Sequence, residues 1–241
     1  MTIKSYVEKC PNHFNGRKNN IPDVIVLHNT GGMKISSAHW WFLDKTSDTS
    51  AHFLVDRDGE IRQYVNLADG SYCNGTTSDK TKKHYYGNAT NGVVKTRPQN
   101  ANLYTITIEF VGNVGDPLTE TQLETAVTLI KYIRKEIERI YNKTVPLNRL
   151  HIIGHYEVAP LTRSDCGKGI QIEDIIERLK ERTDVVKKTD PEPEIPKQET
   201  AAPKPDSVKH KPEIKAEENP KTTDRLMNGV REKNKRANII M

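Results

Sequence analysis

Val24-Ile25-Val26-Leu27-His28 is a run of four aliphatic residues closed by an imidazole. A run that short, with no polar interruption, predicts a strand buried on both faces, as in sheets packed beneath helices. Downstream, Gly31-Gly32 breaks the run, and Ser36 or Ser37 is placed to cap a helix through Ala38-His39-Trp40-Trp41-Phe42-Leu43. One of those two tryptophans is expected in the core and the other as a groove wall, because adjacent helical positions face different ways. His52-Phe-Leu-Val-Asp56 and Glu60-Ile-Arg-Gln-Tyr-Val65 flank Asp58-Gly59 and predict a hairpin. Tyr104-Thr-Ile-Thr-Ile-Glu-Phe-Val111 alternates apolar and polar residues, the pattern of a half-buried strand. Thr119-Glu-Thr-Gln122 is a capping box, and Leu123, Val127, Ile130, Ile133, Ile137 and Ile140 follow it at helical spacing. Leu150-His-Ile-Ile-Gly154 predicts another short buried strand, and Ile172, Ile175, Ile176 and Leu179 a closing helix that ends near Arg182. Residues 74–103 carry no clear period and are expected to form a long surface loop of the kind that is more often functional than idle. The class is therefore α/β: one domain with a central mixed sheet flanked by helices.

Composition divides the chain. All 15 aromatic residues lie at or before Tyr156, whereas seven of the 13 prolines lie after Thr183. Residues 183–241 hold no aromatic residue but 13 Lys/Arg and 11 Asp/Glu, too little apolar surface to offset the entropy of ordering. The expected organisation is a folded domain over 1–182 and a Pro/Lys/Glu-rich disordered linker or tail over 183–241, with a short basic segment at its end. No stretch approaches the roughly 20 apolar residues of a membrane span. The first ten residues have no apolar run before charges resume, so no ordinary secretory signal is expected. Three cysteines at wide spacing argue against a disulfide framework. A net charge of +5 is too small to demand nucleic acid.

Chemistry-bearing residues collect at predicted strand ends. His28 closes the first strand, Glu109 sits on a strand among Thr and Ile, and His155 follows Gly154, with Asp165 and Cys166 ten and eleven residues later. Strand ends of an α/β sheet converge on one edge, so distant residues can meet there. Two imidazoles with one carboxylate or thiolate make the ligand count of a catalytic zinc, and a nearby carboxylate could take a proton from water. The plainer alternative is a set of hydrogen-bonded structural histidines.

Five segments, taken in order, resemble the zinc-dependent N-acetylmuramoyl-L-alanine amidases, the family of T7 lysozyme, AmpD-type amidases and peptidoglycan recognition proteins. They are Val24-Ile-Val-Leu-His28-Asn29; Thr49-Ser-Ala-His52-Phe-Leu-Val-Asp-Arg-Asp-Gly59; Tyr72-Cys-Asn-Gly75; Tyr104-Thr-Ile-Thr-Ile-Glu-Phe-Val-Gly112; and Ile153-Gly-His-Tyr-Glu-Val-Ala-Pro160 with Arg163-Ser-Asp-Cys-Gly167. The resemblance implies one catalytic Zn2+ held by His28, His155 and a third ligand. AmpD-type members place an aspartate ten residues after the second histidine, a register that favours Asp165. The preference of zinc for thiolate keeps Cys166 as the alternative. Glu109 matches the general base of the AmpD-type branch, and Ala51 stands where the other branch has a catalytic tyrosine. Arg163 replaces the usual lysine beside the developing oxyanion, keeping its charge but not its shape. His52, Tyr72 and Asn74 become candidate substrate contacts, with a structural role as the alternative for His52. Cys73 replaces a histidine seen in relatives and is expected to line the cleft. His151, four residues before His155 on a strand, lies roughly 13 Å away and is not expected to share a metal with it.

The implied reaction is hydrolysis of the amide between N-acetylmuramic acid and L-alanine of peptidoglycan. Without a signal, the expected setting is that of a phage endolysin, made in the cytoplasm and reaching the wall once the membrane is permeabilised. The tail is then a candidate contact for wall polymer. The alternatives are a cytoplasmic muropeptide-recycling amidase, a peptidoglycan-binding module without catalysis, and a metal-free cysteine amidase using Cys166 and His155.

Overall fold

A computed structural model of the chain describes residues 1–189. Its axis is strand β3 (Val24–Asn29), buried at all six positions. Strands β7 (Thr105–Phe110) and β8 (Ile152–Gly154) flank it, both parallel to it. The sheet continues past β7 through β4 (Phe53–Val55), β5 (Ile61–Gln63) and β1 (Ile3–Ser5). β4 runs parallel to β7, while β4 and β5 are antiparallel, so this six-stranded sheet is mixed. The expected hairpin turns at Gly59, whose φ of +87° lies in the left-handed region that glycine enters without strain. A separate antiparallel ribbon pairs β2 (His13–Phe14) with β6 (Gly70–Ser71).

The two faces of the sheet are covered differently. Ile25 and Leu27 of β3, with Ile106, Ile108 and Phe110 of β7, pack beneath α3 (Glu120–Tyr141) and α5 (Ile172–Thr189). On the opposite face Val24, Val26 and Ile153 meet Ala89, Val94, Ala101 and Tyr104 from the long connection, and Val158 of the one-turn α4 (His155–Val158). His28 shares this second face by strand alternation. α3 starts on the expected capping box, with Gln122 N donating to Thr119 Oγ1 at 3.1 Å and Thr119 N donating to Gln122 Oε1 at 3.1 Å.

Several expectations need correction. β7 is buried on both faces rather than one, because the polar set Thr105, Thr107 and Glu109 faces the connection instead of water. That connection is not structureless: it contains α2 (Gly92–Lys95), capped by Asn91 Oδ1, and short 3-10 turns at 86–88 and 101–103. α1 (Ile35–Leu43) begins before both serines, with Lys34 at its cap position and no side-chain cap. Trp40 and Trp41 are both exposed, and Phe42 is the residue that enters the core. Ile140 and Leu150 are also exposed.

α5 continues past Arg182 to Thr189. The apolar period that suggested the earlier end stops at Leu179. The remainder of the expected tail, from Asp190 onward, lies outside the described residues. Among the described residues no helix is long and apolar enough to cross a membrane.

Candidate metal centre

Register builds the site. β3 and β7 pair with His28 opposite Glu109, so both side chains leave one face of the sheet side by side, with Nδ1 and Oε1 3.5 Å apart. β8 pairs Leu27 with Gly154, so the next residue, His155, emerges beside His28 at the strand ends. The two imidazole centroids are 4.2 Å apart.

The third donor arrives by a tight return. After α4 the chain turns back, and Tyr156 N donates to the Cys166 carbonyl at 3.1 Å. Gly167 follows with φ +81°, where a β-carbon would stand 2.4 Å from the Leu27 carbonyl oxygen. Only glycine allows that approach, and it seats Cys166 Sγ 3.5 Å from His28 Nδ1. His28, His155 and Cys166 thereby form a buried group whose donor atoms all lie within 4.8 Å of one another.

Asp165 is not part of this group. Its side chain is exposed, whereas that of the next residue, Cys166, is buried. The register taken from the resemblance fits Asp165, whereas the backbone points the neighbouring thiol inward.

The donors are electrically ready for a cation. Burial lowers His28 to about 3, against a hydrogen bond to the Asn74 side-chain oxygen that raises it. His155 also lies well below its ordinary value through burial. Both rings are therefore neutral near pH 7 with lone pairs available. Burial pushes the Cys166 thiol up to about 12, so a metal must displace a proton to bind sulfur there. A buried two-imidazole, one-thiol set suits zinc with a fourth position left open.

Glu109 borders the same space. Burial raises it to about 7, opposed by the Cys73 S–H bond to its Oε1 at 3.8 Å and by the Arg163 charge. Its Oε2 is buried and has no hydrogen-bond partner among the described residues. An unpartnered buried carboxylate oxygen beside three donors leaves an acceptor free for a water or a substrate N–H.

The other expected residues fall in several places. Arg163 is exposed, and its Nη1 donates to the neighbouring Thr162 carbonyl at 2.9 Å, yet its charge is felt at His28, His155, Glu109 and Cys166. Tyr72 is half-buried and packs edge-on against Phe14. His52 and Asn74 are fully buried, so neither side chain presents itself to a polymer outside. His52 accepts from Thr107 N at 3.0 Å and lies 2.9 Å from buried Arg17, tying the back of β7 to the chain near its start. His151 bonds the Asp23 carbonyl, away from the cluster.

Sequence reasoning missed Cys73 as a neighbour of both His28 (3.7 Å) and Glu109, and Asn74 as a partner of His28 (2.8 Å). The signal available was on β7: Thr105 and Thr107 share a face with Glu109, so a polar partner had to cover them.

Comparison with known proteins bears on the family and the fold. The family model described as N-acetylmuramoyl-L-alanine amidase matches residues 17–168, which include every residue of the cluster. The chain is 26% identical over 119 residues to the 1,6-anhydro-N-acetylmuramyl-L-alanine amidase AmpD of Haemophilus influenzae. That match covers 49% of this chain and 52% of AmpD, so it spans about half the length of the curated relative. Among solved structures, a selenomethionine derivative of AmpD superposes with a TM-score of 0.51 at 20% identity, over 73% of this chain and 93% of that one. The amidase LysC of Clostridium intestinale gives 0.49 at 17% identity, over 75% and 98%. With the family model matched over more than half its length, the chain belongs to the N-acetylmuramoyl-L-alanine amidase family.

Proposed function

We propose that this chain is a zinc-dependent hydrolase of the amide bond between N-acetylmuramic acid and L-alanine in peptidoglycan. The observation that carries the reading is the buried His28–His155–Cys166 group with the unpartnered Glu109 Oε2 beside it. His28, His155 and Cys166 would hold the ion, and Asp165 is set aside as a ligand because its side chain is exposed. A bound zinc supplies Lewis acidity to the attacking water and to the scissile carbonyl.

The chain's own residues do the rest. Glu109, raised to about 7, receives the proton of the attacking water and delivers it to the departing amine. Its affinity for a proton near neutrality suits both halves of that transfer. Arg163, at the exposed edge, brings positive charge toward the oxygen on which transition-state charge develops. Tyr72, half-buried, remains a candidate substrate contact.

Glu109→Gln keeps the volume and removes the base. The expected result is unchanged zinc content with release of stem peptides from purified peptidoglycan lowered by at least about 100-fold, within the range general-base catalysis supplies. Full activity in that variant overturns the base assignment.

Two settings fit this chemistry. The first is a lytic, endolysin-like action on the wall. The name of the Haemophilus relative favours a second, hydrolysis of soluble 1,6-anhydro muropeptides. Comparing rates on intact sacculi and on anhydro-muropeptides separates them.

A further inference from the structure

We infer that Asn74 is a positioning residue for the metal centre, holding His28 in the tautomer whose bare Nδ1 faces Cys166 and Glu109. Its role in metal binding rests on the reading above; the tautomer itself belongs to the metal-free protein.

Asn74 is completely buried. Its Oδ1 lies 2.8 Å from His28 Nε2, and its Nδ2 lies 3.0 Å from Thr105 Oγ1 and 2.8 Å from Thr107 Oγ1. Oxygen and nitrogen of an amide are told apart by their partners, so the orientation follows from counting protons. Thr105 Oγ1 donates its single proton to the Ala101 carbonyl, 2.8 Å away, and a carbonyl can only accept. Thr105 therefore meets Asn74 with a lone pair and requires an N–H there. The amide nitrogen faces the threonines and the amide oxygen faces the imidazole.

That oxygen carries no proton, so His28 Nε2 must donate to it. A neutral imidazole has one N–H, and Nδ1 is left bare. Nδ1 is the atom 3.5 Å from Cys166 Sγ and 3.5 Å from Glu109 Oε1. The arrangement is held from behind, since the backbone N–H groups of Cys73 and Asn74 donate to Asn102 Oδ1 at 3.2 and 2.6 Å. A hydroxyl on β7 thus determines, through one amide, which nitrogen of His28 is free for a cation. Such outer partners orient metal ligands and typically change affinity by about 10–100-fold when removed.

The test reads the ring directly. In metal-free protein with 15N-labelled histidine, long-range 1H–15N correlation near neutral pH is expected to report His28 with a protonated Nε2 and an unprotonated Nδ1. The opposite pattern, or an even mixture, overturns the inference without any variant being made. Asn74→Ala is then expected to mix the two tautomers and to weaken zinc binding about 10–100-fold in chelator competition. Thr105→Val, which retains the Thr107 contact, should give a smaller loss. An Asn74→Ala protein that folds, keeps the wild-type ring spectrum and binds zinc as tightly also overturns it. Failure of the metal reading looks different: the wild type would bind no zinc while showing the expected tautomer.

Discussion

At the residue scale, the choice between Asp165 and Cys166 shows how one peptide step decides chemistry. The two are adjacent, and both are plausible zinc ligands by type. Sequence register selects Asp165; the backbone places Cys166 inside and Asp165 outside. Cys166→Ser is therefore expected to weaken zinc binding by at least about 100-fold, while Asp165→Asn leaves it within about threefold; a zinc-thiolate bond is strong, whereas an exposed carboxylate has little to lose. Competition with a chromogenic chelator measures both. The reverse ranking would restore Asp165. His28, His155 and Glu109 were legible because each stands at or near the end of a clear strand signal. Asn74 was not, since nothing local in Tyr72-Cys-Asn-Gly75 says that the amide is buried beneath two hydroxyls contributed from β7.

At the element scale, the return from α4 to Gly167 is the piece on which the cluster depends. Gly167→Ala adds a β-carbon in a left-handed conformation and 2.4 Å from the Leu27 carbonyl oxygen. The strand must yield or the turn must move, and moving the turn displaces Cys166. The expected result is a loss of more than about 1 kcal/mol in urea unfolding, together with weaker zinc binding. A variant with the wild-type midpoint and affinity would show that the approach is not needed. Elements with strong local signals, such as α3 with its capping box and β3 with its aliphatic run, were readable in outline. β7 was misread as half-buried because alternation reports polarity, not exposure. Its Thr105, Thr107 and Glu109 face is polar yet buried, hydrogen-bonded to Ser71, Cys73 and Asn74. α5 runs past the expected end at Arg182 as far as Thr189, since an apolar period marks the packed face of a helix and not its end.

At the scale of the whole molecule, burying three neutral histidines makes stability depend on pH. His28, His52 and His155 all have pKa values lowered by burial. In metal-free protein the unfolded chain gains these protons near the ordinary value of 6.5, before the folded chain does. Their contribution is complete above that value and is lost as pH falls towards the folded values. Glu109 opposes them: its folded value of about 7 exceeds the ordinary 4.5, so it stabilises the fold more as pH falls between those two. Three protons against one leave a net loss on the order of 3 kcal/mol per pH unit once the window is fully entered. The urea midpoint of chelator-treated protein should therefore fall between pH 7.5 and pH 5.5, and more steeply in Glu109→Gln. A flat profile would mean that these rings are not buried neutral.

The central claim is that this buried His–His–Cys group with Glu109 cleaves the muramoyl–alanine amide when zinc is bound. Mass spectrometry of purified peptidoglycan digested by the full chain tests it most directly, with protein as prepared, stripped by chelator, and reloaded with zinc. Stem peptides beginning with free L-alanine, lost on stripping and restored by zinc, are the predicted result. Equal release from the stripped protein, or products cleaved only within the glycan or between peptides, would contradict it.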